Sequence, residues 1–264
     1  MEQDVSADSS SPTLPPAAAQ EPAASPTQEV GQAQSSRQVQ TQAAQVAGKG
    51  RKEKNLYVPY KTPALAWAMI RLLGRLVFFI LARLEVRGRE NVPTSGPCIL
   101  AANHLSWFDV PLAPAYMKRQ TVTMAKEELF HSPVSWLVRF MSGFPVKRGE
   151  ADRQAIRAAT ELLKEGNAFF IFPEGTRSKT HRLAKGHSGL GMIALRSGAP
   201  VIPVAITGTE HILKEFRPRV TLTFGEPITL KPAGRKITRE DIENATDEVM
   251  AKIAAMLPPQ YRGE

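Results

Sequence analysis

The chain has 264 residues and carries 34 lysines and arginines against 25 acids, a formal net charge of +9. Its single cysteine, Cys98, excludes an internal disulfide framework and a cysteine-based zinc site. Residues 1–48 hold one base and five acids, and residues 201–264 hold nine of each, so the whole basic excess lies between Lys49 and Pro200 and points to an anionic partner.

In chain order, the first segment is poor in anything that could build a core. Ala, Gln, Ser, Pro and Thr make up 34 of the first 48 residues, and the first aromatic is Tyr57. Residues 1–55 are therefore expected to be a disordered tail, since they bury too little apolar area to offset chain entropy. Their acidic start and lack of an apolar run do not fit a secretory signal. A basic patch, Lys49–Lys54, leads into the most apolar stretch, Thr62–Leu84, interrupted by Arg71, Arg75 and Arg83. As a helix this stretch is about 34 Å long, but its uncharged runs are far shorter than the ~18 residues of a typical span. At 100° per residue Arg71, Arg75, Lys61 and Arg83 fall at about 0°, 40°, 80° and 120°, one basic arc. Residues 56–85 thus read as a helix in the membrane interface, its cations turned to lipid phosphates. A core helix with snorkelling arginines is the alternative.

From residue 86 to 264, β-rich runs alternate with helical periods. Strands are expected at Cys98–Ala102, Thr121–Met124, Ala168–Phe172, Val201–Ile206 and Arg219–Phe224. Asp152–Glu165 places Ile156, Ala159 and Leu163 on one helical face and stops at Gly166. Thr238–Asp241 resembles a capping box opening a helix whose stripe is Ile242, Ala245, Val249, Ile253 and Met256. The alternation predicts an α/β domain, a mixed sheet covered by helices.

Two of the predicted strands run into loops rich in reactive groups, the usual location of working residues in open α/β sheets. The first is Asn103–Asp109. On a regular helix His104 and Asp109 would stand about 140° apart, so they meet only across a turn. If they meet, the carboxylate fixes the imidazole tautomer and leaves the other ring nitrogen as a general base. The second loop, Phe172–Ser178, joins a glycine turn to Thr176, Arg177 and Ser178, donors suited to a phosphate. The basic residues are not interleaved with aromatics and no nucleic-acid motif accompanies them, so no nucleic-acid partner is expected. No metal-ligand spacing is present.

These loops, in this order, carry a resemblance. The sequence resembles the lysophosphatidic acid (1-acylglycerol-3-phosphate) acyltransferases of the glycerolipid acyltransferase superfamily over about residues 65–230. Asn103-His104, four residues and Asp109 match the first motif, and Phe172–Ser178 matches the Phe-Pro-Glu-Gly-Thr-Arg-Ser motif without change. Gly143–Arg148, Val201–Val204 and Lys126 resemble weaker motifs. The resemblance implies transfer of a fatty acyl group from acyl-CoA or acyl carrier protein, with no cofactor, to the sn-2 hydroxyl of 1-acylglycerol-3-phosphate. It implies membrane lipids as partners and a place on the cytoplasmic face of the cell membrane. His104 and Asp109 would be catalytic, while Lys126, Arg148, Glu174, Gly175, Thr176 and Arg177 would form the phosphate site, Glu174 bracing it. Lys147 departs from the acid that many members carry before the motif arginine, which leaves other lysolipids, such as a lyso-aminolipid, as acceptors. Ser106, two residues from His104, raises a Ser-His-Asp alternative, disfavoured because the nucleophile-elbow pattern is missing. A basic membrane-binding module is the non-enzymatic alternative.

Overall fold

The computed structural model describes residues 62–133, 142–146 and 153–263, together with Ser135 and Val138. The expected tail, the Lys49–Lys54 patch, Lys147 and Arg148 lie outside the described residues. Seven strands form one sheet: β1 (Arg83–Arg87), β2 (Cys98–Ala102), β3 (Thr121–Lys126), β4 (Gly143–Val146), β5 (Ala168–Ile171), β6 (Val201–Thr207) and β7 (Arg219–Phe224). Their spatial order is β1-β7-β6-β2-β5-β3-β4. β6, β2, β5, β3 and β4 run parallel, while β7 is antiparallel to β6 and parallel to β1. Around it stand helices α1 (Ala64–Leu81), α2 (Asp109–Tyr116), α3 (Arg153–Lys164), α4 (Gly189–Ser197) and α5 (Arg239–Met256), with short 3-10 turns in the connections.

The central strands are continuous apolar runs because both faces of the sheet are covered. In β2, Ile99 and Ala101 pack with Phe169, Val201, Leu163, Ile193 and Val249 in the layer of α3, α4 and α5. Cys98, Leu100 and Ala102 turn the other way, against Phe170, Ile202, Val204, Leu112 and Phe78, in the layer of α1 and α2. This period-2 division builds two cores around one sheet. Cys98 is fully buried in the second core, as its place in an apolar strand predicted.

The helix ends follow local chemistry. α3 stops where Gly166 takes φ 85°, its N–H donating to the Leu163 carbonyl and that of Asn167 to Leu162. α5 opens with a true capping box. The Asp241 N–H donates to Thr238 Oγ1 at 3.1 Å, and the Thr238 N–H donates to Asp241 Oδ2 at 2.8 Å. Close approach of α4 to α5 requires Gly191, because a Cβ there would overlap the Ile242 carbonyl oxygen.

The amphipathic segment differs from its prediction in two respects. First, the helix ends at Leu81, and Arg83 and Leu84 belong to edge strand β1, so the boundary expected after residue 85 falls inside a strand of the sheet. Pairing with β7, in which Arg219 also donates to Glu85 at 3.0 Å, competes successfully with one more helical turn. Second, two arginines of the arc, Arg71 and Arg75, turn to backbone carbonyls, while Arg83 is exposed on β1 and Lys61 lies outside the described residues. Arg75 Nε donates to the Ala115 carbonyl at 3.0 Å and an Arg71 N–H to the Lys118 carbonyl at 3.5 Å. The unsatisfied carbonyls and negative dipole end of α2 draw these cations inward. What faces out instead is uncharged: Leu65, Met69, Leu72, Leu73, Leu76, Val77, Phe79 and Ile80 are all exposed. Among the described residues α1 alone is long and apolar enough to cross a membrane.

Candidate active site

The five parallel strands bring their C-terminal ends to one edge of the sheet, and the two motif loops leave from neighbouring strands there. Asn103 fixes the exit from β2. Its side-chain Nδ2 donates to the Ile206 carbonyl at 2.8 Å and its Oδ1 accepts the Ile206 N–H at 2.7 Å. This fully buried amide extends the β2–β6 ladder through a side chain and frees the backbone to turn at His104.

The turn then closes on Asp109, the first residue of α2. Asp109 Oδ2 accepts from Leu105 N–H at 2.6 Å, Ser106 N–H at 2.7 Å and His104 Nδ1 at 2.9 Å. Oδ1 accepts from Thr209 Oγ1 at 2.5 Å, across from the end of β6. The carboxylate is buried, placed at a helix N-terminus and surrounded by donors. A carboxylate only accepts, so in the tautomer in which His104 donates from Nδ1 to Asp109, Nε2 is left as the basic nitrogen. Phe172 stacks on the imidazole at 3.9 Å between ring centroids and 16° between planes, and packs edge-on against Phe170.

Glu174 locks the second loop to the first. Its Oε1 accepts the His104 N–H at 2.7 Å and its Oε2 accepts the Ala184 N–H at 3.0 Å. Burial pushes its carboxyl up to about 7, an effect that the two N–H donors oppose and the charge of Asp109 reinforces. Two more links join the loops: Ser178 N–H donates to the His104 carbonyl at 2.9 Å, and the Arg177 guanidinium lies over the Trp107 ring at 4.1 Å. Gly175 takes φ 67° and closes the Phe172–Gly175 turn with its own N–H, donating to the Phe172 carbonyl at 3.0 Å. That N–H is therefore committed to the turn, and the donors facing solvent are the exposed side chains of Thr176 and Arg177.

Of the residues picked out in the sequence, His104, Asp109, Glu174, Gly175, Thr176 and Arg177 lie on two interlocked loops. Lys126 ends β3 at the same edge of the sheet and pairs with Glu128 at 2.9 Å. Arg148 lies outside the described residues. Ser106 is buried and its Oγ accepts from Phe108 N–H at 3.1 Å, and among the described residues no hydrogen bond joins it to the His104 ring, so a Ser-His-Asp triad is not formed. Thr209 and the Phe172 ring are functional neighbours that sequence reasoning missed. Only the aromatic preceding the second motif's proline hinted at either. Among the described residues no group of three or more His, Cys, Asp or Glu side chains could hold a metal ion.

The sequence and fold are similar to those of known proteins. The Acyltransferase family model matches residues 83–207, which run from β1 through β6 and contain both loops. The chain is 33% identical to the 1-acyl-sn-glycerol-3-phosphate acyltransferase BAT2 (chloroplastic) of Brassica napus over 151 residues, 54% of this chain and 42% of that protein. It is 32% identical to the lyso-ornithine lipid O-acyltransferase of Pseudomonas aeruginosa, over 56% of this chain and 55% of that protein. The chain thus spans about half the length of these two curated relatives. It also resembles the crystal structure of the 1-acyl-sn-glycerophosphate (LPA) acyltransferase PlsC from Thermotoga maritima, with a TM-score of 0.57 and 30% identity, covering 72% of this chain and 79% of that one. With both motif loops on such a sheet and identity at this level over most of a solved relative, the chain belongs to the 1-acyl-sn-glycerol-3-phosphate acyltransferase family.

Proposed function

We propose that the chain transfers a fatty acyl group from an acyl thioester, acyl-CoA or acyl carrier protein, to the sn-2 hydroxyl of 1-acylglycerol-3-phosphate. The observation that carries this reading is the His104–Asp109 pair at 2.9 Å, set beside a loop that offers Thr176 and Arg177 to solvent. An alcohol is a poor nucleophile at neutral pH, so a base must remove its proton as it attacks. His104 Nε2 takes that proton, and Asp109 stabilises the imidazolium that forms. General base catalysis of this kind contributes roughly 10²–10⁴ in rate. The oxygen attacks the thioester carbonyl, the C–S bond breaks, and the thiolate leaves, taking up the proton from His104. Arg177, Lys126 and Arg148 are assigned to the acceptor phosphate, which they hold so that the hydroxyl faces the thioester. Glu174 acts as a brace between the loops and takes no part in proton transfer. No cofactor is required by this scheme.

The exposed apolar stripe of α1 supports work at a membrane surface, here assigned to its cytoplasmic face, where the lipid acceptor resides. A second acceptor class is favoured by one observation, the similarity to a lyso-ornithine lipid O-acyltransferase. The test is direct: purified protein is given 1-acylglycerol-3-phosphate and lyso-ornithine lipid in competition, with acyl-CoA or acyl carrier protein as donor, and products are weighed by mass spectrometry. Phosphatidic acid as the dominant product supports the proposal; acylation of the lyso-ornithine lipid alone, or of neither, overturns it.

A further inference from the structure

The two most exposed large apolar side chains among the described residues are not on α1. They are Leu213, at 82%, and Phe216, at 92%, both on the loop between β6 and β7. Such exposure is unfavourable in water unless something covers it. The loop is also held firmly in place. His211 sits between two acids, Nδ1 2.8 Å from Glu215 and Nε2 3.2 Å from Glu210, and Tyr261 donates to Glu210 at 2.6 Å. At its far end Arg217 adopts φ 50°, uncommon for a residue with a side chain. It donates to the Phe79 carbonyl at 2.9 Å, and its guanidinium lies 5.5 Å from the Phe79 ring.

That staple makes the loop continuous with the exposed stripe of α1, whose last turn contributes Phe79 and Ile80. A cleft of about 760 Å³ opens between them, lined in part by Phe79, Tyr116, Phe216, Arg83, Arg217 and Arg219, and by neither motif loop. The charges around the apolar tip are lopsided. Glu215 is engaged by His211 and Glu85 by Arg87 and Arg219, whereas Arg83 and Lys214 enter no ion pair among the described residues. Apolar side chains flanked by free cations fit an anionic lipid surface better than they fit the acidic or neutral surface of a soluble partner. The loop also begins at Thr209, which bonds the Asp109 carboxylate, so whatever seats the loop also sets the orientation of the motif edge.

We propose that Leu213–Arg217 is a second membrane-contact point, which inserts Leu213 and Phe216 among anionic lipids beside α1 and turns the His104 edge toward the bilayer. This inference rests on the membrane reading of α1. It is tested with the 264-residue chain carrying F216C labelled with an environment-sensitive fluorophore, Cys98 being buried, on vesicles of phosphatidylcholine and phosphatidylglycerol. A blue-shifted, severalfold brighter emission quenched by bromolipids is expected. L213S/F216S should partition about tenfold more weakly onto those vesicles while turning over a short-chain acceptor in solution at the unaltered rate. If the chain binds vesicles but the label does not respond, the loop inference falls and the reading of α1 stands. If the chain does not bind at all, both fall. If L213S/F216S instead abolishes concentration-dependent self-association and leaves vesicle binding intact, the patch belongs to a second copy of the chain and the proposal is overturned.

Discussion

Asp109 commits both carboxylate oxygens to four donors, and this makes it the least replaceable residue of the site. In Asp109→Asn one carboxylate oxygen becomes an NH₂ facing either the Thr209 hydroxyl or three N–H donors. The expected outcome is a loss of about 1–3 kcal/mol in stability, with a fall in kcat much larger than unfolding accounts for, because the imidazole loses its tautomeric control. Urea denaturation alongside steady-state kinetics separates the two. Glu174 gives a pH signature. Its folded carboxyl, raised to about 7, binds a proton more tightly than the unfolded chain does. Its contribution to stability is therefore fully present below the ordinary carboxylate pKa and is lost as pH rises through 7. Glu174→Gln removes that titration while setting an amide NH₂ against one backbone N–H. The stability of the wild type relative to this variant should shrink between pH 4.5 and pH 7.5 by up to about 3 kcal/mol. A difference that stays flat with pH would mean the carboxyl titrates normally.

At the scale of elements, the α4–α5 contact is the most sharply specified. Gly191 lies so close to α5 that an added Cβ would overlap the Ile242 carbonyl and approach Thr246 Oγ1 to 2.7 Å. Gly191→Ala should destabilise by about 1–3 kcal/mol through overpacking, read as a lower denaturation midpoint at unchanged m-value. Elements varied in how far the sequence announced them. β2, β5, β6 and β7 were legible because uninterrupted apolar or alternating runs have few other uses. β1 was not: Arg83-Leu-Glu-Val-Arg87 alternates charge with apolar residues, as an edge strand does, and directly follows an apolar helix whose pattern runs into it. α2 was hidden by Pro111 and Pro114 and by an apolar character on every side, and α4 by its glycines. The direction of the α1 arginines could not be read either, since the carbonyls that capture them lie about forty residues away in the chain.

For the whole molecule, the sheet does the gathering. His104 and Asp109 leave β2, Glu174 and Arg177 leave β5, Thr209 leaves β6 and Lys126 ends β3, and parallel pairing brings these four ends to one edge. The residue types and their spacing were legible in the motifs. The contacts that organise them were not, because Asn103 reaches Ile206, Asp109 reaches Thr209 and Glu174 reaches His104 across separations that only the fold closes. The same edge carries Trp107 beside Arg177 and continues through the β6–β7 loop to α1. The central claim is that this edge performs acyl transfer with His104 as base. Its most direct test is the rate of phosphatidic acid formation from 1-acylglycerol-3-phosphate and an acyl thioester, followed by mass spectrometry for the wild type and for His104→Ala at matched folded concentration. The account predicts product from the wild type and a rate at least about 10²-fold lower in the variant; a variant that forms phosphatidic acid at the wild-type rate would contradict it.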